Sequence, residues 1–402
     1  MSMLETAEAS VNEAIDMIGR AGIEALLRVS AYQVAGGKQP GRKRGGDGIG
    51  WYGHEHGVVQ LAERKVRVER PRLRRKGAQQ EGEVAIPAYE AMHVKGEVTE
   101  RILQIILAGV STRNYGQVLP AMAESVGMSK SSVSREMIDA CEAKLRELCE
   151  RRFDDVDLLV LYIDGVSYGE HQVIVAVGVD EKGYKHILGV REGATENTEV
   201  TKALLEDLVE RGVKADRHRL FVIDGSKALR AAIRAVYGKT MPVQRCHVHK
   251  ERNVQRHLPK DKHAQTASAI KAAWKLTAEE GIQRLNDLAQ WLERDHPSAA
   301  GSLREGLEEM FTINRMNLSP ALRRCFGSTN VIESSLSGAS AKTGQVRRWR
   351  DGAMVTRWVA TALLETEKNF RKIMGYRDLW QLKAHLHELD MEHGLAQERK
   401  AG

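Results

Sequence analysis

The sequence predicts a mixed α/β protein: a sheet-bearing domain interrupted by an all-helical block and preceded by a largely helical region. Three observations carry this. Two short apolar runs each close on an acid and a glycine, Leu158-Leu159-Val160-Leu161-Tyr162-Ile163-Asp164-Gly165 and Leu220-Phe221-Val222-Ile223-Asp224-Gly225. Such a run reads as a buried strand that delivers its carboxylate to the edge of a sheet. From Val248 to Met316 the pattern is wholly helical, with Trp274, Leu285, Leu288, Trp291 and Leu292 at helical spacing. Those two tryptophans are expected in that block's core. Before Asp155 the signals are helices, a basic linker and one hairpin.

Taken in order, Ser2 to Val34 places Val11, Ala14, Ile15, Ile18, Ile23, Leu26 and Leu27 at helical intervals, predicting an amphipathic helix pair. Gly36 to Gly50 is a Gly-, Lys- and Arg-rich linker. Val58 to Arg74 partly alternates apolar with charged residues, as in a β-hairpin with one basic face. Val94 to Leu148 is helical. Within it, Gly127 marks a turn, Ser129 is a candidate N-cap, and a short helix shows Lys130, Ser131, Ser134 and Arg135. A helix-turn-helix places such residues in the major groove, where arginine pairs with guanine and serine with several base edges.

After Asp155 come strands over Asp157–Ile163, His171–Val179 and Tyr184–Val190, a helix over Thr198–Arg211, the strand Leu220–Ile223, a helix over Lys227–Tyr237 and the strand Val243–Cys246. Three meandering strands followed by helix, strand, helix and strand is the order of a ribonuclease-H-like mixed sheet with helices on its faces. A helix bearing Glu333 and an amphipathic helix over Met354–Phe370 complete it. The expected organisation is N-terminal helices, linker and hairpin in 1–80 and a helix-turn-helix DNA-binding domain in 85–150. A catalytic domain follows in two parts, 154–255 and 326–375, around a helical insertion domain in 256–325, with a C-terminal tail in 376–402.

With 61 Lys and Arg against 54 Asp and Glu, the chain carries +7, and the excess is clustered. Lys38 to Lys76 holds twelve basic residues against four acids, and Ala321 to Arg350 holds six against Glu333 alone. Such clusters suit a polyanionic partner better than net charge does. Cys141, Cys149, Cys246 and Cys325 contain no C-x-x-C pair, and the N-terminus has no signal-peptide pattern, so a reducing cytoplasm is expected. No apolar run approaches the roughly 18 residues that a membrane span needs.

Asp164, Asp224 and the distant Glu333 could together hold two magnesium ions, although many α/β proteins place an acid at a strand end without catalysis. Phosphodiester cleavage and strand transfer can use two metals about 4 Å apart, one at the attacking and one at the leaving oxygen. Mg²⁺ prefers carboxylate oxygens and tolerates little distortion, so a few acids on rigid elements suffice. A haloacid-dehalogenase-type phosphatase also ends its first strand in an acid, but it needs an aspartate nucleophile two positions earlier, where this chain has Tyr162.

Over roughly Gly109 to Leu382 the chain resembles the bacterial branch of the Mutator-like insertion-sequence transposases. The matching segments are Tyr162 to Gly165, Phe221 to Gly225, Gln244-Arg245-Cys246-His247-Val248-His249-Lys250-Glu251-Arg252-Asn253-Val254, Thr329-Asn330-Val331-Ile332-Glu333-Ser334, and Arg347-Arg348-Trp349-Arg350-Asp351 with Arg357-Trp358. Their spacing, 60 positions from Asp164 to Asp224 and 109 from Asp224 to Glu333, is similar to that of the family. The resemblance implies a DDE triad of Asp164, Asp224 and Glu333 holding two Mg²⁺ ions, with Mn²⁺ as a substitute. It also implies an enzyme that binds terminal inverted repeats and target DNA as a homodimer, nicks element ends, and joins a freed 3′-hydroxyl by way of a circular intermediate. A bacterial, nucleoid-associated location follows.

Cys246 and His249 match the family's C-x-x-H signature. Two ligands are too few for zinc, so they are expected at a strand-to-helix corner, with Cys246 packed, His249 near the acids or the DNA phosphate, and His247 on the opposite face. In Arg347-Arg348-Trp349-Arg350, the arginines can grip phosphates while Trp349 either stacks on an unpaired base or anchors a basic loop in the core. Two other function classes stay open. A DNA-binding regulator descended from a transposase would show an eroded triad, and a plain nuclease of the same fold would cut without joining.

Overall fold

The computed structural model describes residues 3–36, 48–61, 64–75, 82–92, 103, 107, 130–193, 197–344 and 346–394. The chain divides into two compact units, Met1–Ala140 and Cys141–Gly402.

In the first unit, the helix α1 (Met3–Ala35) lies on an antiparallel sheet of β1 (Ile49–Leu61), β2 (Arg64–Arg75) and β3 (Glu83–Val84), closed by the short helix α2 (Pro87–Met92). The expected helix pair is one helix of 33 residues. Its glycines each cost about 1 kcal/mol relative to alanine, but no proline breaks the run. Ile23, Leu27 and Ala31 recur at the helical period and bury against Val59, Val66, Val68 and Leu73 of the hairpin. The hairpin is longer than its alternation suggested, because β1 begins at Ile49, inside the expected linker. Its basic side is partly neutralised, since Glu55 pairs with Arg70 and Arg72. Most of the linker, and the turn and preceding helix of the expected helix-turn-helix, lie outside the described residues. The short helix expected after Ser129 is the 21-residue α3 (Lys130–Glu150), which spans the boundary between the units.

The second unit is built on a five-stranded mixed sheet of order β6-β5-β4-β7-β8. The strands β4 (Leu158–Tyr168), β5 (His171–Asp180) and β6 (Lys185–Glu192) form an antiparallel meander. The strands β7 (Leu220–Ile223) and β8 (Val243–Arg245) run parallel to β4, reached through α4 (Thr198–Glu210) and α5 (Lys227–Tyr237). Period-two alternation sorts the two faces. Leu161, Ile163, Phe221 and Ile223 pack against α4 and α5. Val160, Tyr162, Leu220 and Val222 pack on the other face against α12 (Asn330–Thr343), α13 (Gly352–Glu367) and α14 (Leu379–Glu392). The segment 376–402, expected as a tail, thus carries a helix that buries Leu379, Leu382 and Leu386 in the core.

Between β8 and α12 the chain is helical, as its pattern predicts: α6 (His247–Gln255), α7 (Lys260–Ala273), α8 (Ala278–Glu293), α9 (Pro297–Arg304), α10 (Thr312–Arg315) and α11 (Pro320–Phe326). Leu285, Ala289 and Leu292 of α8 pack with Ala299, Leu303 and Phe311 in a core of their own. Trp274 packs against that core, whereas Trp291, also expected inside, is 52% exposed because it lies off this stripe. No helix among the described residues is long and apolar enough to cross a membrane.

Candidate active site

Asp164 does not end its strand. β4 continues to Tyr168, and Asp164 stays in register with Val175 of β5. What ends is the pairing on the other side, where the last partners of β4 and β7 are Tyr162 and Val222. Asp164 and Asp224 each stand two residues beyond that pair, level with one another on neighbouring strands. By alternation, both share the face that carries Tyr162 and Val222, which is the face covered by α12. Glu333 lies in the first turn of α12.

Each carboxylate is held by one oxygen. Asp164 Oδ1 accepts the Gly165 N–H at 2.8 Å, Asp224 Oδ1 accepts the Ser226 N–H at 2.9 Å, and Glu333 Oε1 accepts the Thr329 hydroxyl at 2.7 Å. The other oxygens, Asp164 Oδ2, Asp224 Oδ2 and Glu333 Oε2, have no hydrogen-bond or ion-pair partner among the described residues. Burial raises the Asp164 carboxyl to about 6, and the charges of Asp224 and Glu333 push the same way. Among the described residues, no three His, Cys, Asp or Glu side chains stand close enough to grip a metal as placed. The donor set still suits a hard divalent cation. Three carboxylates, each with one oxygen free of a protein partner, are hard oxygen donors of the kind such a cation prefers.

Cys246 and His249 sit at the β8-to-α6 corner, as expected. Cys246 is fully buried and caps α6, its sulfur accepting from His249 N at 3.5 Å and Thr329 N at 3.4 Å and lying 3.3 Å from the Thr329 hydroxyl oxygen. His249 Nε2 lies 3.7 Å from Glu333 Oε1, and its Nδ1 lies 3.4 Å from the Thr329 hydroxyl. Contact with Cys246 raises the His249 imidazole against the opposing effect of burial, and Asp164 and Glu333 add to the rise. His247 faces elsewhere, stacked on Trp274 at 4.1 Å with Nε2 donating to Met310 O at 2.7 Å.

A group of residues given no role from sequence ties Asp224 to the helical block. Arg245 ends β8 and donates to Glu305 O at 2.9 Å and to Glu305 Oε2 at 3.2 Å. The fully buried Lys250 donates to Ser302 O and, at 2.6 Å, to Glu305 O. The Arg245 side chain passes between two glycines at positive φ, Gly225 (+104°) and Gly306 (+65°), and a Cβ on either would stand 2.2 Å from it. Gly225 follows Asp224 directly, so this packing fixes the turn that presents that acid. Sequence offered a signal here, because Arg245 and Lys250 bracket the Cys246 motif and Thr329 lies four residues before Glu333.

Of the candidate nucleic-acid contacts, Arg347, Arg348 and Arg350 are exposed and have no ion pair among the described residues. Between them, the half-buried Trp349 packs edge-on to Tyr168 at 5.2 Å and to Trp358 at 6.5 Å. Tyr168 closes β4 four residues beyond Asp164, so the arginine loop is anchored on the strand that carries the first acid. Arg135 is exposed on α3, while the side chains of Lys130, Ser131 and Ser134 lie outside the described residues.

The sequence is also similar to that of known proteins. The family model described as "Transposase, Mutator family" matches residues 7–373. The chain is 26% identical over 325 residues to the transposase for insertion sequence element ISRM5 of Rhizobium meliloti, covering 75% of this chain and 79% of that protein. It is 25% identical over 307 residues to the transposase for insertion sequence element IS256 in transposon Tn4001 of Staphylococcus aureus, covering 70% and 76%. To the transposase for insertion sequence element IS406 of Burkholderia multivorans it is 28% identical over 261 residues, covering 61% and 65%.

Proposed function

Because this chain belongs to the Mutator family of transposases, we propose that it cuts the ends of a bacterial insertion sequence and joins them to new DNA, using Asp164, Asp224 and Glu333. The observation that carries this reading is the level placement of Asp164 and Asp224 on neighbouring strands, with Glu333 on the helix covering that face and one oxygen of each acid left free. The sheet order and the helical segment between the second and third acids support a ribonuclease-H-like domain with an insertion.

The three acids would hold two Mg²⁺ ions, with Mn²⁺ able to substitute, and these would polarise the scissile phosphate and stabilise negative charge on the attacking and leaving oxygens. The chain's own groups do the rest. Ser226 N–H and Thr329 Oγ1 fix the orientation of Asp224 and Glu333. Arg347, Arg348 and Arg350 neutralise phosphates flanking the cut. His249, held by Cys246 and Thr329, adds positive character beside Glu333. Lys130, Ser131, Ser134 and Arg135 read the terminal inverted repeat, and two copies of the chain bring two ends together, with a circular element as intermediate.

The test is Mg²⁺-dependent nicking of a labelled duplex carrying the inverted repeats that flank the gene. Wild-type protein nicks at the repeat boundary, and Asp224→Asn binds the duplex but leaves it intact. Equal nicking by Asp224→Asn overturns the assignment.

A further inference from the structure

At the far end of the sheet from the acids, the β5–β6 turn and the segment after α13 form a surface where cations and aromatic rings alternate. Leu158 of β4 pairs with Asp180 just before that turn, whereas Asp164 pairs with Val175. Six residues of strand put the turn about 20 Å from Asp164. Lys372 lies between two exposed tyrosines, its Nζ 4.3 Å from the ring centroid of Tyr184 and 4.7 Å from that of Tyr376. The Arg377 guanidinium lies 5.8 Å from the Tyr376 ring.

The backbone holds this arrangement in place. Ile373 N donates to Gly183 O at 3.0 Å, and Gly183, at φ +83°, lies so close to Tyr376 that a Cβ there would stand 2.5 Å from the tyrosine's own Cβ. Trp380, in the first turn of α14 just beyond this segment, is 66% exposed. Lys383, further along α14, is neutralised by Glu181 and Asp157. Lys182, Lys372 and Arg377 have no ion pair among the described residues.

Neighbouring cations left without ion pairs repel one another, and contact with the tyrosine rings holds Lys372 and Arg377 in place. A partner carrying regularly spaced negative charge relieves the repulsion. The exposed apolar side chains beside these cations, Tyr184, Met374, Tyr376 and Trp380, could also serve a protein partner, so the oligomeric state is measured alongside DNA binding. We propose that this surface is a second DNA-binding site, taking the phosphate backbone of a duplex away from the acids, with Trp380 against the deoxyribose edge. The choice of DNA rests on the transposase reading; the surface itself does not depend on the triad.

The experiment compares full-length protein with the triple variant Lys182→Gln/Lys372→Gln/Arg377→Gln. Binding to a fluorescent 40-base-pair duplex lacking any element end is followed by anisotropy at a series of salt concentrations. Loss of three phosphate contacts lowers the slope of log K against log salt by up to about 2.7, and affinity at low salt falls on the order of tenfold or more. Trp380→Ala weakens binding similarly at every salt concentration. Nicking of a short end duplex by the triple variant stays at the wild-type level. An unchanged slope and affinity overturns the proposal, as does a changed oligomeric state with DNA binding intact, which would mark a protein interface. If the wild type itself does not nick but the slope falls as stated, the cleavage reading fails and this site stands.

Discussion

Thr329 stands one helical turn ahead of Glu333 and donates its hydroxyl to Glu333 Oε1 at 2.7 Å, leaving Oε2 free. The same hydroxyl touches Cys246 and His249, so one side chain joins the C-x-x-H corner to the third acid. Glu333 can rotate about three side-chain bonds, and this hydrogen bond removes much of that freedom before any substrate arrives.

Thr329→Val should therefore lower nicking by about ten- to a hundredfold, the equivalent of about 1.5–3 kcal/mol for a hydrogen bond to a charged group. Affinity for repeat DNA should hold, and Thr329→Ser should recover most of the rate. Full activity in Thr329→Val would separate the hydroxyl from the chemistry.

Asp164 is held in an unfavourable charged state. Its folded carboxyl titrates at about 6 against an ordinary 3.8, so between those values the folded chain binds a proton that the unfolded chain has lost. Stability therefore falls as pH rises through 6, and at pH 7 the ionised acid costs about 2–3 kcal/mol. Asp164→Asn should raise the thermal midpoint at pH 7 while abolishing nicking. Mg²⁺ should raise the midpoint of wild type and do so less in the variant. A variant less stable than wild type at pH 7 would contradict this.

His247 gives the opposite dependence. Burial lowers its imidazole from 6.5 to about 4. Between those pH values the unfolded chain takes up a proton that the folded chain refuses, so stability declines as pH falls from 6.5 towards 4, by up to about 3 kcal/mol. Urea denaturation of wild type and His247→Phe at pH 7 and pH 4.5 measures it. The variant should lose correspondingly less across that window, and an equal loss would show that the imidazole is not responsible.

Lys250 is fully buried, and burial lowers its amine to about 8. Lys250→Met keeps the side-chain length but removes the donor to Ser302 O and Glu305 O. Leaving those carbonyls short of a partner should destabilise the chain by about 1–3 kcal/mol at pH 7. Above pH 8 the wild-type amine is neutral in the fold but still charged when unfolded, so wild-type stability rises with pH there and the gap to the variant widens. A gap that narrows from pH 7 to pH 9.5 would be inconsistent with a charged, buried amine at neutral pH.

Local pattern carried much of this architecture. Leu220–Ile223 and Lys227–Tyr237 have the bounds their apolar spacing predicts, because a short strand between glycine-marked turns has few alternatives. Asp164 was legible as an acid but not as a mid-strand residue, since β4's extension to Tyr168 depends on pairing with β5 and has no signal within β4 itself. Of the Arg245, Glu305 and Lys250 junction, only the placement of Arg245 and Lys250 around the Cys246 motif was legible, because their partners lie 52 to 60 positions away in the chain. Trp291 misled because helical spacing alone does not say which stripe is buried.

The most direct measurement is strand joining by Glu333→Ala. Purified wild-type and variant proteins, each folded and bound to labelled element-end DNA, are given Mg²⁺ and a target duplex, and joined product is quantified on a denaturing gel. Removing one acid should reduce joining on the order of a thousandfold, a loss of about 4 kcal/mol in transition-state stabilisation, with repeat binding unchanged. Joining by Glu333→Ala at a rate near wild type would remove Glu333 from the site and contradict the account.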